Sequence, residues 1–283
     1  MDPVAEDVRA RMALHLGNAD VDEVVTSARH PTVAFAPAAR PAVSIVTVTY
    51  GTGPVIIDAL AALAATSADT PSEVIVVDQP PGHGDRALTA ATRLRLLTAG
   101  VRLVRTNDNY GFGGGNHVGL GLARAPVVVL LNPDVIVQPG WLAPLLAALD
   151  DATVGIAAPV LRNPDGSVQE AGQTLDDRAI TRPITTRPSQ PLADVTFASA
   201  ACWVLRADDY ARSGGFDPAY HPAYFEDVDL ALRLRRLGLR TVVVAASEVV
   251  HHHGTSTRQR TVQALAQQAV FRHRWSAELA ALR

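Results

Sequence analysis

Short apolar runs alternate with segments of helical length from residue 43 onward. Four runs rich in valine, isoleucine and leucine have the length of strands: 43–49, 73–77, 101–104 and 127–131. Strands buried on both faces have this continuous apolar character, which parallel sheets covered by helices require. Segments 55–65 and 87–97, rich in alanine and leucine, are predicted to be helices. The pattern predicts an α/β fold with a doubly wound, mostly parallel sheet flanked by helices.

The pattern loosens after residue 132. Residues 176–194 are rich in proline and poor in large apolar side chains, which predicts a mobile loop. An acidic helix is expected to end at Gly238, because glycine commonly follows the last residue of a helix. The elements predicted in this half are a helix at 141–149, strands at 154–158 and 195–205, a hairpin turn at 163–166, and the acidic helix at 226–237.

Both ends of the chain differ from this central pattern. Residues 1–40 show weak helical periodicity at 4–16 and 21–27 and then several prolines, so we interpret them as an N-terminal appendage and linker. Residues 41–256 are expected to form a single large domain. Residues 257–283 carry five arginines against one glutamate and are predicted to form a basic amphipathic helix. We expect its apolar side to dock on the domain, the alternative being peripheral contact with a membrane surface.

Composition excludes several classes of protein. The chain has 283 residues, 48% of them hydrophobic, which suffices for the core of one large domain. A formal net charge of −3 gives no basic surface for nucleic acid. All 25 Lys+Arg residues are arginine, which rules out Schiff-base lysine chemistry. A lone cysteine, Cys202, the absence of a signal-like N-terminus and the absence of any run of about eighteen apolar residues predict a cytoplasmic protein, at most peripheral at the inner face of the membrane.

Polar residues follow three of the predicted strands. Ligands of open α/β sheets bind beyond the carboxyl ends of the strands, where Thr49, Tyr50 and Asp78 are expected to lie. Asp78 is suited to accept a hydrogen bond from a base or a ribose hydroxyl, although a plain turn acid is an equally good interpretation. Asn132 and Asp134 flank a proline after the fourth strand. A divalent cation needs only one or two carboxylates when a diphosphate supplies other oxygens, but Asn-Pro-Asp is also a common turn.

Residues 109–116 form a glycine-rich segment before a predicted helical stretch at 117–124. The spacing does not match the dinucleotide-binding fingerprint, because Asn116 and Val118 stand where a third glycine is required. A nicotinamide-dependent dehydrogenase is therefore poorly supported. The segment can still bring backbone close to a ligand at the start of a helix, where negative charge is stabilised.

An acidic cluster and a histidine run complete the set of candidate residues. Glu226, Asp227 and Asp229 fall in the first turn of the acidic helix, where the helix dipole stabilises them whatever their function. His251 and His253 would share one face of a strand, so at most two of the three consecutive histidines can serve one site.

Together these segments resemble the family 2 glycosyltransferases of the GT-A fold, including rhamnosyltransferase-like bacterial members. The resemblance covers residues 43–256, and its motifs occur in the order of the family. The motifs are 46–50, 76–78, 109–116, 131–134, 214–217, 226–238, and His251 with Gly254 and Ser256.

The resemblance implies a metal-dependent, inverting transfer of a hexose or deoxyhexose. The donor would be a dTDP- or UDP-sugar, and the acceptor hydroxyl would belong to a glycan, a lipid-linked sugar or a small molecule. The resemblance assigns Mn²⁺ or Mg²⁺ to Asp134 and His251, and it makes Asp227 the catalytic base with Glu226 beside it. The implied nucleotide-sugar-binding residues are Thr49, Tyr50, Asp78, Asn109, Gly111, Gly114, Asn116 and Asn132.

Two departures and two alternatives accompany this assignment. Gly51 stands where the family usually has asparagine, and Gln79 with two prolines follows Asp78 in place of small polar residues. Both changes touch the expected nucleotide pocket. The alternatives are a non-catalytic module that binds a nucleotide sugar or glycan, and a sugar nucleotidyltransferase. The second is disfavoured because residues 51–54 contain no arginine for a triphosphate.

Overall fold

The computed structural model describes residues 19–25, 33–36, 38–50, 55–66, 69–80, 98–252 and 258–282. The strands in these ranges are β1 Ala19–Val25, β2 Val33–Ala34, β3 Val43–Tyr50, β4 Ser72–Gln79, β5 Thr98–Ala99, β6 Val101–Thr106, β7 Val127–Leu131, β8 Val135–Val137, β9 Val154–Arg162, β10 Val168–Glu170, β11 Gln173–Leu175, β12 Thr181–Pro183, β13 Leu192–Val195, β14 Cys202–Arg206 and β15 Arg240–His251. The helices are α1 Val55–Thr66, α2 Gly111–Gly121, α3 Leu142–Ala148, α4 Ala207–Arg212, α5 Glu226–Arg236, α6 Arg258–Arg274 and α7 Ser276–Ala280, with a 3-10 turn at Pro218–Tyr220.

One large sheet organises these elements, in the strand order β1-β6-β4-β3-β7-β14-β9-β15-β13. The four strands predicted from the apolar runs, β6, β4, β3 and β7, pair in parallel. Their central residues are fully buried, as the continuous apolar pattern requires. Antiparallel strands join this parallel part on both sides, and β9 and β15 form a further parallel pair. The α/β prediction is confirmed, and the carboxyl ends of β3, β4 and β7 share one edge.

Several predicted elements differ from the structure. Residues 21–25 are strand rather than helix, because their valines pair along β6 and tertiary pairing overrides a weak helical pattern. The strand expected at 195–205 is divided between β13 and β14. Part of the loop expected at 176–194 forms β12 and the beginning of β13. The helices predicted at 4–16 and 87–97 lie outside the described residues.

The glycine-rich segment also differs from the prediction, because α2 begins at Gly111 and includes the glycines. A Cβ atom on Gly115 would lie 2.6 Å from Val48 Cγ1, and one on Gly119 would lie 2.3 Å from Val46 Cγ1. Glycine therefore allows α2 to approach β3 closely. This packing offsets the low helix propensity of glycine, about 1 kcal/mol per residue relative to alanine.

The C-terminal helices dock on the domain through a buried carboxylate. Asp229 is fully buried and accepts hydrogen bonds from Tyr220 Oη at 3.1 Å, Arg233 Nε at 2.8 Å and Trp275 Nε1 at 2.9 Å. Arg274 Nη1 lies 3.2 Å from the same carboxylate. The four partners satisfy its charge and join α5 to the end of α6. No helix within the described ranges is both long and apolar enough to cross a bilayer.

We predict that Asp229→Asn destabilises the protein by about 3 kcal/mol, because it leaves Arg233 without its carboxylate partner, whereas Arg274 keeps its ion pair with Asp217. Glu278→Gln is the matched control. Glu278 pairs with Arg236 at the surface, and breaking such a pair costs at most about 1 kcal/mol. Urea unfolding of both variants measures the difference, and equal losses would contradict the role assigned to Asp229.

Candidate active site

Two predicted residues meet at the carboxyl ends of the central strands. Thr49 and Asp78 are opposite each other in the register of β3 and β4, and Thr49 Oγ1 donates to Asp78 Oδ1 at 2.7 Å. Both residues are buried, whereas Tyr50 is half exposed. The hydrogen bond holds the carboxylate at the edge of the sheet where ligands of α/β proteins bind.

Gln79, one of the departures from the family pattern, connects this edge to α2. Its Oε1 accepts from the backbone N–H of Tyr110 at 2.7 Å, and its Nε2 donates to the carbonyl of Gly111 at 3.1 Å. Asn109 Oδ1 accepts from the N–H of Gly111 at 2.9 Å, so it satisfies a donor at the start of the helix. Asn116 is buried, and its Nδ2 donates to the carbonyl of Phe112 at 3.0 Å.

A cavity of about 280 Å³ lies beside the first turn of α2. Of the predicted residues, Asn109, Gly114 and Glu226 line it, whereas Asn116 does not. The aromatic side chains of Tyr110, Phe216 and Tyr220 supply apolar walls. The first turn of α2 therefore borders a cavity that ends at the acidic helix.

Asp134 and His251 are brought together by strand pairing. β8 pairs antiparallel with the end of β15, where Val135 is opposite His251, and the N–H of His252 donates to the carbonyl of Asp134 at 2.9 Å. His251 Nε2 lies 3.4 Å from Asp134 Oδ1. No group of three or more acidic, histidine or cysteine side chains suited to a metal occurs in the part of the chain that the structure describes. His253 lies outside that part.

Asp227 lies in a second cavity, of about 400 Å³, which Asn132 also lines. The two residues before α5 have an unusual backbone conformation, with a φ of 83° at Tyr224 and of 70° at Phe225. Side chains other than glycine rarely adopt this left-handed conformation, and such strain concentrates at functional sites. The N–H of Val228 donates to Asp227 Oδ1 at 2.8 Å.

Burial shifts the pKa of two neighbouring acids, Glu226 and Asp227, in the same direction. Burial, followed by the charge of Asp227, raises the pKa of Glu226 well above its usual value. Its Oε2 has no hydrogen-bond partner among the described residues. Asp227 keeps some exposed surface, yet burial raises its pKa to about 6, against hydrogen bonds from the backbone of Val228 and Ala200. Burial therefore opposes ionisation of both acids, and for Glu226 the charge of Asp227 adds to this effect.

Glu170 was missed by sequence reasoning. It is buried, and it accepts hydrogen bonds from the N–H of Ser199 at 2.6 Å and from Gln173 Nε2 at 2.8 Å. Burial raises the pKa of Glu170 to about 7, with a further increase from the charge of Asp227 and an opposing effect of His251. The charges of Asp227 and His251 therefore both act on the carboxyl group of Glu170. Nothing in its local sequence marks it, because its neighbours come from distant segments.

The fold, together with the family match that follows, identifies a glycosyltransferase of GT-A type. The model of the family described as "Glycosyltransferase like family 2" matches residues 41–276, and the chain belongs to this family.

Similar proteins agree with this class. The N-acetylglucosaminyl-diphospho-decaprenol L-rhamnosyltransferase of Mycobacterium tuberculosis is 31% identical over 242 residues, which cover 75% of this chain and 76% of that protein. The crystal structure of GalNAc-T7 with UDP, GalNAc and Mn²⁺ has a TM-score of 0.66 at 14% identity over 76% of this chain, which spans 44% of that one. The mannosyltransferase PcManGT of Pyrobaculum calidifontis, in complex with GDP-Man and Mn²⁺, has a TM-score of 0.57 at 19% identity over 96% of this chain and 72% of that one. At these identities the two structures show the shared fold.

We predict that Glu170→Gln becomes more stable relative to the wild type as pH rises from 4.5 to 8. An unfolded glutamate titrates near pH 4.3, so the folded protein binds more protons than the unfolded chain between about pH 4.3 and 7. The burial cost of Glu170 is therefore absent below this window and complete above it. Glutamine has no such dependence.

Urea unfolding at pH 4.5, 6, 7 and 8 tests this expectation. Asp208→Asn, at an exposed position of α4, controls for the loss of one carboxylate. A difference between Glu170→Gln and the wild type that stays constant across the window would show that Glu170 does not retain its proton on folding.

Proposed function

We propose that this protein is an inverting glycosyltransferase that moves a hexose or deoxyhexose from a nucleoside-diphosphate sugar to an acceptor hydroxyl. The observation that carries the proposal is the placement of Asp227: it lines a cavity that Asn132 also lines, directly beside a second, buried acid, Glu226. A base with a pKa of about 6 is ionised at neutral pH and still able to accept a proton.

The reaction is a single displacement at the anomeric carbon. The acceptor oxygen forms the new bond on one face of the sugar while the bond to the diphosphate oxygen breaks on the other, so the configuration inverts. Asp227 takes the proton of the attacking hydroxyl. The cavity around Asp227 is lined by Phe112, Phe197 and Tyr224, which reduce contact between the base and water.

The pair formed by Asp134 and His251 fits a divalent cation. A carboxylate oxygen and an imidazole nitrogen face each other from adjacent strands, and oxygen ligands from a diphosphate would complete the coordination of Mn²⁺ or Mg²⁺. When bound, the metal would neutralise charge that grows on the leaving diphosphate. Complexes of GalNAc-T7 and PcManGT with Mn²⁺ support this part of the proposal.

The donor is proposed to be a dTDP- or UDP-sugar, with rhamnose favoured by the similarity to the mycobacterial rhamnosyltransferase. Thr49, Tyr50 and Asp78 would contact the nucleoside, and the first turn of α2 would border the diphosphate. The name of that relative also supports a lipid-linked acceptor. A glycan or a small molecule is the alternative acceptor.

We predict that Asp227→Asn loses about 10²- to 10⁴-fold in turnover, the usual contribution of a general base, with donor affinity unchanged. Glu226→Gln is the matched variant. Glutamine resembles a protonated glutamate in shape and lacks charge, so its loss should be much smaller.

Release of nucleoside diphosphate in the presence of Mn²⁺ measures turnover, and calorimetry with the donor measures affinity. Equal losses in the two variants would contradict the assignment of Asp227, rather than Glu226, as the base. Wild-type turnover in Asp227→Asn would reject the base outright and favour a different proton acceptor.

We further propose that α6 contacts the inner face of the membrane, which would locate the protein at the cytoplasmic surface. Val262, Leu265 and Val270 are exposed on this helix by 70%, 61% and 37%. Residues 258–274 contain four arginines and no acid. Ala264 of the same helix lines the cavity of Asp227, so another side of α6 borders that cavity. Such a helix suits an anionic lipid surface.

We predict that the protein binds phosphatidylglycerol vesicles more tightly than phosphatidylcholine vesicles, and less tightly as salt is raised. Leu265→Glu should weaken vesicle binding by about tenfold or more, because burial of a leucine contributes about 1.5–3 kcal/mol. Thr185→Glu, at an exposed position outside α6, is the control for added negative charge. Equal binding by both variants in vesicle sedimentation would exclude this surface.

A further inference from the structure

The amide of Gln169, on β10, contacts the histidine of the proposed metal pair at two points. Gln169 Oε1 lies 2.8 Å from His251 Nδ1, and Gln169 Nε2 donates to the backbone carbonyl of His251 at 3.1 Å. The same Nε2 donates to Asn163 Oδ1 at 2.9 Å. Gln169 therefore holds both the ring and the backbone of His251 at the end of β15.

A chain of hydrogen bonds in the β9–β10 hairpin determines the direction of each bond. Asp165 has an anionic carboxylate, because hydrogen bonds from Ser167 lower its pKa, and it can only accept. Ser167 Oγ donates to Asp165 Oδ1 at 2.6 Å and so accepts from Asn163 Nδ2 at 2.9 Å. The oxygen of the Asn163 amide is then left to accept from Gln169 Nε2.

This sequence of bonds settles the orientation of the Gln169 amide. Its nitrogen donates to two acceptors, so its oxygen faces His251 Nδ1, and a carbonyl oxygen can only accept. His251 Nδ1 must therefore carry a proton. In the neutral imidazole the lone pair is then on Nε2, the atom that faces Asp134 at 3.4 Å.

We propose that Gln169 is a positioning residue, which selects the tautomer of His251 whose Nε2 can bind a divalent cation beside Asp134. The inference rests on the proposed metal site. Histidine ligands of metals commonly donate their second ring N–H to an oxygen, and removal of that partner typically weakens metal binding about 10- to 100-fold. Gln169 supplies this oxygen from a hairpin that sequence analysis predicted only as a turn.

Three variants test the proposal. Gln169→Leu removes the acceptor and should weaken binding of Mn²⁺ by about 10- to 100-fold in the presence of excess UDP. Gln169→Glu keeps an oxygen opposite Nδ1, so we expect its affinity for Mn²⁺ to stay within about threefold of the wild-type affinity. Gln268→Leu is the control, because it removes a comparable amide, whose Nε2 donates to the carbonyl of Ala179. Electron paramagnetic resonance of free Mn²⁺ gives the affinities.

A purely structural role of Gln169 predicts a different result, since both substitutions would then disturb the hairpin alike. Loss of affinity in Gln169→Glu equal to that in Gln169→Leu, or wild-type affinity in Gln169→Leu, would overturn the proposal.

Nitrogen-15 NMR of the imidazoles provides a measurement without metal. At pH 8.5 the wild type should show the His251 proton on Nδ1, and Gln169→Leu should shift it toward Nε2. A wild-type proton on Nε2 would overturn the proposal. His251→Ala separates it from the proposed function. If this variant binds Mn²⁺ as the wild type does, the metal site itself is wrong; if it loses Mn²⁺ while Gln169→Leu keeps it, only the role of Gln169 fails.

Discussion

The backbone pairing of β15 is the interaction on which the site depends. This strand pairs with β9 in parallel and with β13 and β8 in the antiparallel direction, so its end is held by neighbours from different parts of the chain. The pairing with β8 brings His251 next to Asp134, and the hairpin that follows β9 brings Gln169 to the same imidazole. If β15 paired one residue out of register, these three side chains would separate, because a shift of one residue turns each side chain of a strand to the opposite face of the sheet.

The first turn of helix α5 carries two carboxylates, Asp227 and Asp229, in different surroundings. Asp229 is compensated by two arginines, a tyrosine and a tryptophan, so its charge holds the C-terminal helices in place. Asp227, two residues earlier, projects from a different side of the helix and is stabilised mainly by backbone N–H groups. Burial raises its pKa, and these hydrogen bonds oppose that increase only in part. The partners of each carboxylate thus separate the structural role of Asp229 from the proton transfer proposed for Asp227.

The strand predictions succeeded where burial on both faces leaves a continuous apolar run, as in β3, β4 and β7. They failed where tertiary contacts oppose local preference. The glycines of α2 lie within a helix, where the close packing against β3 leaves no room for a Cβ atom. The valines of β1 pair along β6. Asp134 and His251 were paired by resemblance, and the structure gives the distance between them. Their catalytic and metal-binding roles remain predictions, as does that of Asp227.

The amino-acid sequence by itself determined the α/β class, the polar residues at the strand ends and the family motifs, because these depend on local periodicity and residue type. Tertiary structure alone decided that Glu170 and Gln169 lie beside the candidate residues, that Asp229 is enclosed by hydrogen-bond donors, and that burial raises the pKa of Glu226 and Asp227. The physical reason is that burial, charge and hydrogen bonding act between neighbours in space, and these neighbours lie tens of residues apart along the chain.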